Sequence, residues 1–342
     1  MRAMPDSTPV SVPPAAGAPP PPPAAPAARC WIADAQGARE TEPAAAVAAA
    51  AAGAMVWIDL EGLDEPAVAA LLQPLAIHPL VIEDMVTDVN RPKVDNYGAY
   101  LYVALHSARW EDERPTLKEL DIVVGANFLI TYHDSATRSI TSAHATIARR
   151  PHLLANGPAE LLHHVLDVLV DNYLPIMERV GAEIDEVEDQ VFDPMQPSDH
   201  ARIIRLKRGM SALRRIVGPQ RDAVLALTRD EFRPIPPEMR PYLRDVYDRI
   251  ARINDLLDSY RDEISTVLEL HVTMTSNRLN EVIKRLTVVA TIGLPLTVVT
   301  SYFGMNFEFG EYKLSHPHVF VLALLVASGL GTLWYLRRRG WD

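Results

Sequence analysis

Asn280, Ile283, Thr287, Ala290, Leu294, Thr297 and Ser301 recur at steps of three and four, so a helix running through them carries all seven on one face. The face is small or mildly polar at most positions and bears no charge. A stripe of hydroxyl, amide and short apolar side chains can line a wet path for a solute, or it can be a packing surface, because small residues let backbones approach. Spacing alone divides the two readings evenly. The face extends to Gly304 and Asn306 in the stretch SYFGMNFEFG, an uncharged motif placed where a hydrophobic helix stops. That extension favours a pore lining.

The elements that must hold this stripe are legible around it. Leu286 to Phe303 (LTVVATIGLPLTVVTSYF) and Val319 to Leu336 (VFVLALLVASGLGTLWYL) contain no charged side chain, and each is about as long as the shortest helices that cross a bilayer. Two buried core helices are the alternative. Glycine, proline and aromatic-flanked ends favour the membrane, where Pro295 is tolerated better than in a soluble helix. Arg278, Lys284 and Arg285 precede the first span, Arg337, Arg338 and Arg339 follow the second, and the loop between offers Lys313 against Glu308 and Glu311. This asymmetry predicts that both termini are cytoplasmic, in a protein expected in the inner (plasma) membrane.

Upstream, from Pro241, a helical pattern runs unbroken into the first span. Some 60 residues of helix make a rod of about 90 Å. Val246, Ile250, Ile253, Leu257, Tyr260, Ile264 and Val267 form a heptad seam that expects partner helices, which predicts a homo-oligomer whose stalks meet. The basic hairpin helix before it is the other element able to cover part of the seam.

The expected organisation is a disordered Pro/Ala-rich tail over 1–29, an α/β cytosolic domain over 30–157 and an antiparallel helical hairpin over 158–235. A stalk helix over 236–285 follows, then the first span over 286–303, a loop over 304–318, the second span over 319–336 and a basic tail over 337–342. MVWIDL, AYLYVALHSA and LDIVVGANFLITYH read as strands, and DEPAVAALLQPLA and PLVIEDMV as helices, with Asp64 capping the first. Within the hairpin, Glu160 to Phe192 and Asp199 to Leu227 read as two helices, the first ending acidic and the second basic, whose faces attract each other. The proline-rich start is not a signal peptide, since prolines interrupt every apolar run.

Composition narrows the function classes. A net charge of −11 argues against nucleic acid as a partner and makes cations the likelier one. The single cysteine, Cys30, builds neither a disulfide framework nor a thiolate-rich zinc site. No Walker loop, nucleophile elbow or HExxH occurs, so an enzyme is not expected. His163 and His164 are adjacent on a helix, point apart and make a poor metal pair.

The stretch SNRLNEVIKRLTVVATIGLPLTVVTSYFGMNFE (Ser276 to Glu308) resembles the stalk-to-pore segment of the CorA family of divalent-cation channels, whose signature is the Gly-Met-Asn tripeptide. IHPLVIEDMVTDVNRPKVDNY and MRPYLRDVYDRI resemble its cytosolic segments, and the likeness covers the chain after residue 30. The resemblance implies a funnel-shaped homopentamer, with an α/β cytosolic domain, a long stalk helix and two C-terminal transmembrane helices. It implies a Mg2+ channel that also carries Co2+ and Ni2+, with Mg2+ both cargo and regulator. Gly304, Met305 and Asn306 would be the selectivity filter, and Asn280, Ile283, Leu286, Thr287, Ala290, Leu294, Thr297 and Ser301 the pore lining. Leu294, Ile283 and Leu286 would form the hydrophobic constriction. Glu83, Asp84 and Asp245 would bind regulatory Mg2+ between protomers, with Glu269 lower in the stalk. Family members continue after the tripeptide with an acidic MPEL-like stretch, whereas this chain reads FEFGEYKLSHPH, leaving Glu308 and Glu311 as the loop acids. A zinc transporter of the same superfamily and a non-conducting membrane-anchored scaffold or sensor are the alternatives. Met305 favours the Mg2+ branch, and the stripe offers no imidazole or thiolate for Zn2+.

Overall fold

The computed structural model describes residues 27–34, 37–87, 90–111, 114–135, 137–190, 197–229, 232–305 and 317–339. They divide into two compact units. The first contains a seven-stranded sheet and most of the helices, and the second contains the distal parts of three long helices together with the C-terminal helix.

In the first unit the strands are β1 (Ala27–Asp34), β2 (Gly37–Thr41), β3 (Val56–Glu61), β4 (Lys93–Asn96), β5 (Leu101–Glu111), β6 (Arg114–Val124) and β7 (Phe128–His133). Their order across the sheet is β2-β1-β3-β7-β6-β5-β4. Only β3 and β7 pair in parallel, and the remaining neighbours are antiparallel. The central β3 is buried along nearly its whole length, as expected of a strand covered on both faces. Alternation then sorts its side chains. Val56, Ile58 and Leu60 join Ile130 and Tyr132 of β7 in a core with α1 (Pro43–Ala51), α2 (Glu65–Leu72) and α3 (Pro79–Val86). Trp57, Asp59, Thr131 and His133 point the other way.

Local signals start the helices where the sequence places them. Asp64 accepts from the Ala67 amide at 3.1 Å at the start of α2, and Pro79 opens α3 behind a His78 cap. The far face of the sheet is covered by α4 (Arg138–Arg149), α5 (His152–Ala155) and α6 (Pro158–Asp171). The tail expected over 1–29 ends earlier, because Ala27, Ala28 and Arg29 pair with β3 in β1. Cys30, next in that strand, is fully buried, and burial pushes its thiol up to about 12, which makes it inert.

The helix expected from Glu160 to Phe192 is two. It breaks at Asn172 and Tyr173, between α6 and α7 (Leu174–Gln190). Tyr173 is fully buried and its hydroxyl donates to the His106 carbonyl at 2.8 Å. A tertiary hydrogen bond of that kind is invisible to helical periodicity. α8 (Pro197–Leu227) and α9 (Arg240–Phe303) complete the long helices, and α10 (Pro317–Arg338) follows.

The heptad seam corrects one expectation. Val246, Ile250, Ile253, Leu257, Ile264 and Val267 are all fully or almost fully buried by the chain's own helices. In the first unit Arg214 of α8 pairs with Asp258 of α9 at 2.7 Å, and Arg249 of α9 pairs with Asp171 of α6 at 2.5 Å and also with Asp167. In the second unit Tyr260 of α9 packs over Gly181 of α7. The seam is satisfied within one subunit, so it supplies no argument for an oligomer. The hairpin attraction is visible where Arg202 of α8 donates to Glu186 of α7 at 2.6 Å.

Candidate functional site

α9 continues without interruption through the first apolar segment, past Pro295, to Phe303. Its most apolar stretch has a mean hydropathy of 1.7 and is 0% buried, and that of α10 reaches 2.1 with 6% buried. Core helices of a soluble protein would be mostly covered. Leu286, Val289, Leu294 and Val298 on α9 and Leu322, Leu330 and Trp334 on α10 are all more than half exposed. Apolar surface this extensive requires a nonaqueous surround.

Partial burial separates the faces of α9. Val288, Ile292, Pro295, Val299 and Phe303 are half-buried at steps of three and four, and two contacts show what covers them. Leu296 Cδ2 lies 3.8 Å from where a Cβ on Gly329 would sit, and the Phe303 and Phe320 rings meet edge to face at 6.3 Å. This is the face that α10 covers. Asn280, Ile283, Ala290, Leu294, Thr297 and Ser301 are exposed, and of the seven-residue stripe only Thr287 is half-buried. At 100° per residue their mean direction lies about opposite the α10 face. Leu286 is exposed beside them.

The hydroxyls of the stripe have a defined polarity. Thr287 Oγ1 donates to the Ile283 carbonyl at 2.8 Å, and Thr297 Oγ1 donates to the Gly293 carbonyl at 2.9 Å. Each proton is committed to the helix, so the outward lone pairs act as acceptors. An acceptor surface suits water that has turned its hydrogens away from a cation.

At the end of α9 the Gly304 amide donates to the Thr300 carbonyl at 3.0 Å and the Met305 amide donates to the Tyr302 carbonyl at 3.3 Å. A Cβ on Gly304 would lie 3.1 Å from the Thr300 oxygen, so the tight helix end favours glycine there. Met305 is exposed. Asn306, Glu308 and Glu311 lie outside the described residues.

The acidic residues are spread over two helices, α3 and α9. Glu83 is exposed on α3; its neighbour Asp84 is half-buried and holds Lys93 Nζ at 2.6 Å through Oδ2. Asp245 is exposed on α9 and pairs with Arg249 at 3.2 Å, while Glu269 is exposed further along the same helix. Among the described residues no three His, Cys, Asp or Glu side chains are placed to hold one metal ion. One chain therefore does not bring these carboxylates together.

A polar cluster in the first unit went unnoticed in the sequence. Asp59 Oδ1 accepts from Thr131 Oγ1 at 2.5 Å and lies 3.2 Å from His133 Nε2; Asp59 Oδ2 lies 2.8 Å from His144 Nε2. Trp31 Nε1 donates to His144 Nδ1 at 3.0 Å, which places the imidazole proton on Nε2 facing Asp59. Burial alone would raise the Asp59 pKa, but His133, His144 and Thr131 together bring it down to about 2. The available signal was a lone acid inside the apolar strand VWIDL. With every Asp59 contact supplied by its own fold, the cluster reads as structural.

The arrangement just described is a long helix emerging from an α/β body, two bare apolar helices, and an uncharged stripe facing away from the second. A family model described as CorA-like Mg2+ transporter protein matches residues 52–338. The chain belongs to the CorA family. The cobalt/magnesium transport protein CorA of Thermotoga maritima is 29% identical to it over 290 residues, covering 83% of each chain. The structure of the CorA magnesium transporter from Methanocaldococcus jannaschii matches with a TM-score of 0.80 at 20% identity, covering 92% of this chain and 98% of that one. The zinc transport protein ZntB of Cronobacter sakazakii is 23% identical over 300 residues, covering 83% of this chain and 87% of that protein. This CorA-family chain is thus a membrane protein and a divalent-cation transporter, in a family of transporters rather than enzymes, with two C-terminal apolar helices as its anchor.

Proposed function

We propose that the chain assembles as a homopentameric Mg2+ channel of the inner membrane, with termini in the cytoplasm, and that it also passes Co2+ and Ni2+. The observation that carries this reading is the stripe from Asn280 to Ser301, exposed and uncharged on the α9 face turned away from α10. Copies of α9 meeting along that face enclose a pore whose wall accepts hydrogen bonds. Leu294, Ile283 and Leu286 narrow it, and Gly304, Met305 and Asn306 form its mouth.

Mg2+ loses its water reluctantly, so a filter that stripped the ion to direct ligands would pass it slowly. A ring of Asn306 amide oxygens accepts hydrogen bonds from the ion's water shell and leaves it intact. A carboxylate ring would grip harder and release less readily. Neutrality at the mouth therefore favours throughput.

Glu83 and Asp84 of one protomer and Asp245 of its neighbour supply hard oxygen ligands of the type Mg2+ accepts, with Glu269 a further acid lower in the stalk. Ions shared between protomers at high internal Mg2+ would hold the ring closed, and their loss would loosen it.

The test is uptake by a Mg2+-transport-deficient cell or by liposomes, comparing wild type with Asn306→Ala over Mg2+, Co2+, Ni2+ and Zn2+. Mg2+ flux in the wild type, lost in Asn306→Ala, is expected. Absence of any cation flux sinks the channel and leaves a scaffold. Zn2+ flux driven by a proton gradient without Mg2+ flux moves the chain to the zinc branch.

A further inference from the structure

Beside the Asp59 cluster, the first unit holds a cavity of about 830 Å³ that the transport reading leaves unused. It lies between the distal half of the β5–β6 hairpin, the start of α4 and the start of α7. Four cationic side chains line it, Arg109, Lys118, Arg138 and Arg179, against the single carboxylate of Glu111 among the described lining residues. The sign is opposite to that of the whole chain, whose net charge is −11. Like charges gathered around one concavity repel one another and focus a positive potential into it.

Two of these cations, Arg109 and Arg138, are not spent on carboxylates of the described residues. Arg109 and Arg138 are exposed and have no carboxylate within ion-pair distance among the described residues. Lys118 Nζ donates to Ser135 Oγ at 2.6 Å, a contact that fixes its position and leaves its charge in place. Thr137 caps α4 by accepting from the Ile140 amide, so the positive end of a 12-residue helix opens on the same space. Thr141 and Ser142 in its first turns add hydroxyl groups. A second wall is apolar, built from Ala108, Ala145, Pro175 and Ile176.

The geometry points to a binding site for a soluble organic phosphate with several negative charges, of nucleoside triphosphate size. The phosphates engage Arg109, Lys118, Arg138 and the α4 N-terminus, and the organic moiety lies on the Pro175–Ile176 wall. Guanidinium groups match phosphate oxygens in pairs, and a cavity of this volume falls in the range that holds small-molecule ligands. The site is independent of the pore and does not rest on the channel reading.

The test is direct binding to the full chain in detergent micelles, in metal-free buffer so that chelation of the transported ion plays no part. The probes are ATP, inorganic tripolyphosphate and adenosine. ATP is expected to bind in the micromolar range, tripolyphosphate more weakly and adenosine not at all. Arg109→Glu/Arg138→Glu, which reverses two exposed charges, is expected to weaken ATP binding at least tenfold with an unchanged melting temperature. No ATP binding at about 1 mM overturns the proposal. So does equal ATP affinity in wild type and variant, equal affinity for ATP and tripolyphosphate, or binding of adenosine as tight as that of ATP.

Discussion

The two halves of α9 carry similar apolar side chains and meet opposite surroundings. From Leu243 to Val267 the seam residues are buried, several of them completely. From Leu270 to Phe303 none of the large apolar residues is fully buried and most are exposed, Leu294 to 70%. Heptad spacing alone cannot tell these halves apart, because both repeat at three and four. Burial separates them: the first half is closed by the chain itself, and the second is left bare, as in a segment that crosses a membrane.

The strongest way to break this contrast is to place one charge in each half. Ile253→Asp should destabilise the body by about 4 kcal/mol or more, since a buried carboxylate there has no partner. Leu286→Asp should shift the melting of the body by less than about 0.5 kcal/mol while altering cation flux. Thermal melts of the two solubilised variants check this, and equal destabilisation by both would erase the distinction.

A smaller effect separates the sheet from the stripe. Asp59→Asn should cost about 1–3 kcal/mol at neutral pH, because two imidazoles and a hydroxyl lose a charged acceptor. The Asp59 pKa is lowered to about 2 in the folded chain. Its contribution is therefore present above the unfolded value of about 4 and is lost as pH falls toward 2. The gap between wild-type and variant melting temperatures should narrow in acid over that window. His106 acts in the same pH direction, though by burial of the neutral form and not by pairing: burial lowers it to about 4, so folding is opposed progressively as pH falls from about 6.5 to 4. His106→Gln should flatten that part of the pH profile of stability.

Two further changes sharpen the reading of the acids and the stripe. Asp245→Ala should reduce the protection that Mg2+ gives the stalk against protease, and unchanged protection counts against ions shared at that carboxylate. Thr297→Val should change stability by less than about 1 kcal/mol, because it removes one hydroxyl from an exposed face. Its effect should be a few-fold fall in flux, measured in the same uptake assay.

The sequence revealed most where periodicity has one interpretation. α2 and its Asp64 cap, β3, β5, the whole of α9 and both apolar helices lie where spacing and turn residues indicate. β1 was hidden because AARCWIAD follows a proline-rich run and is held by tertiary pairing with β2 and β3. The break before α7 was hidden because it depends on the Tyr173 hydroxyl reaching β5. The seam was correctly seen as needing partners, but spacing carries no information on whether these are local or foreign. The exposed, uncharged stripe was legible because it is a single-helix feature. The phosphate cavity was not, because its charges come from two strands and two helices.

The burial of the seam within each subunit has a consequence in mass action. A coil shared between copies would fold only as they associate, and its melting temperature would climb with protein concentration. Here Val246, Ile253 and Leu257 find their partners in the same polypeptide. The body can therefore mature at any dilution, with a melting temperature that does not depend on association between copies.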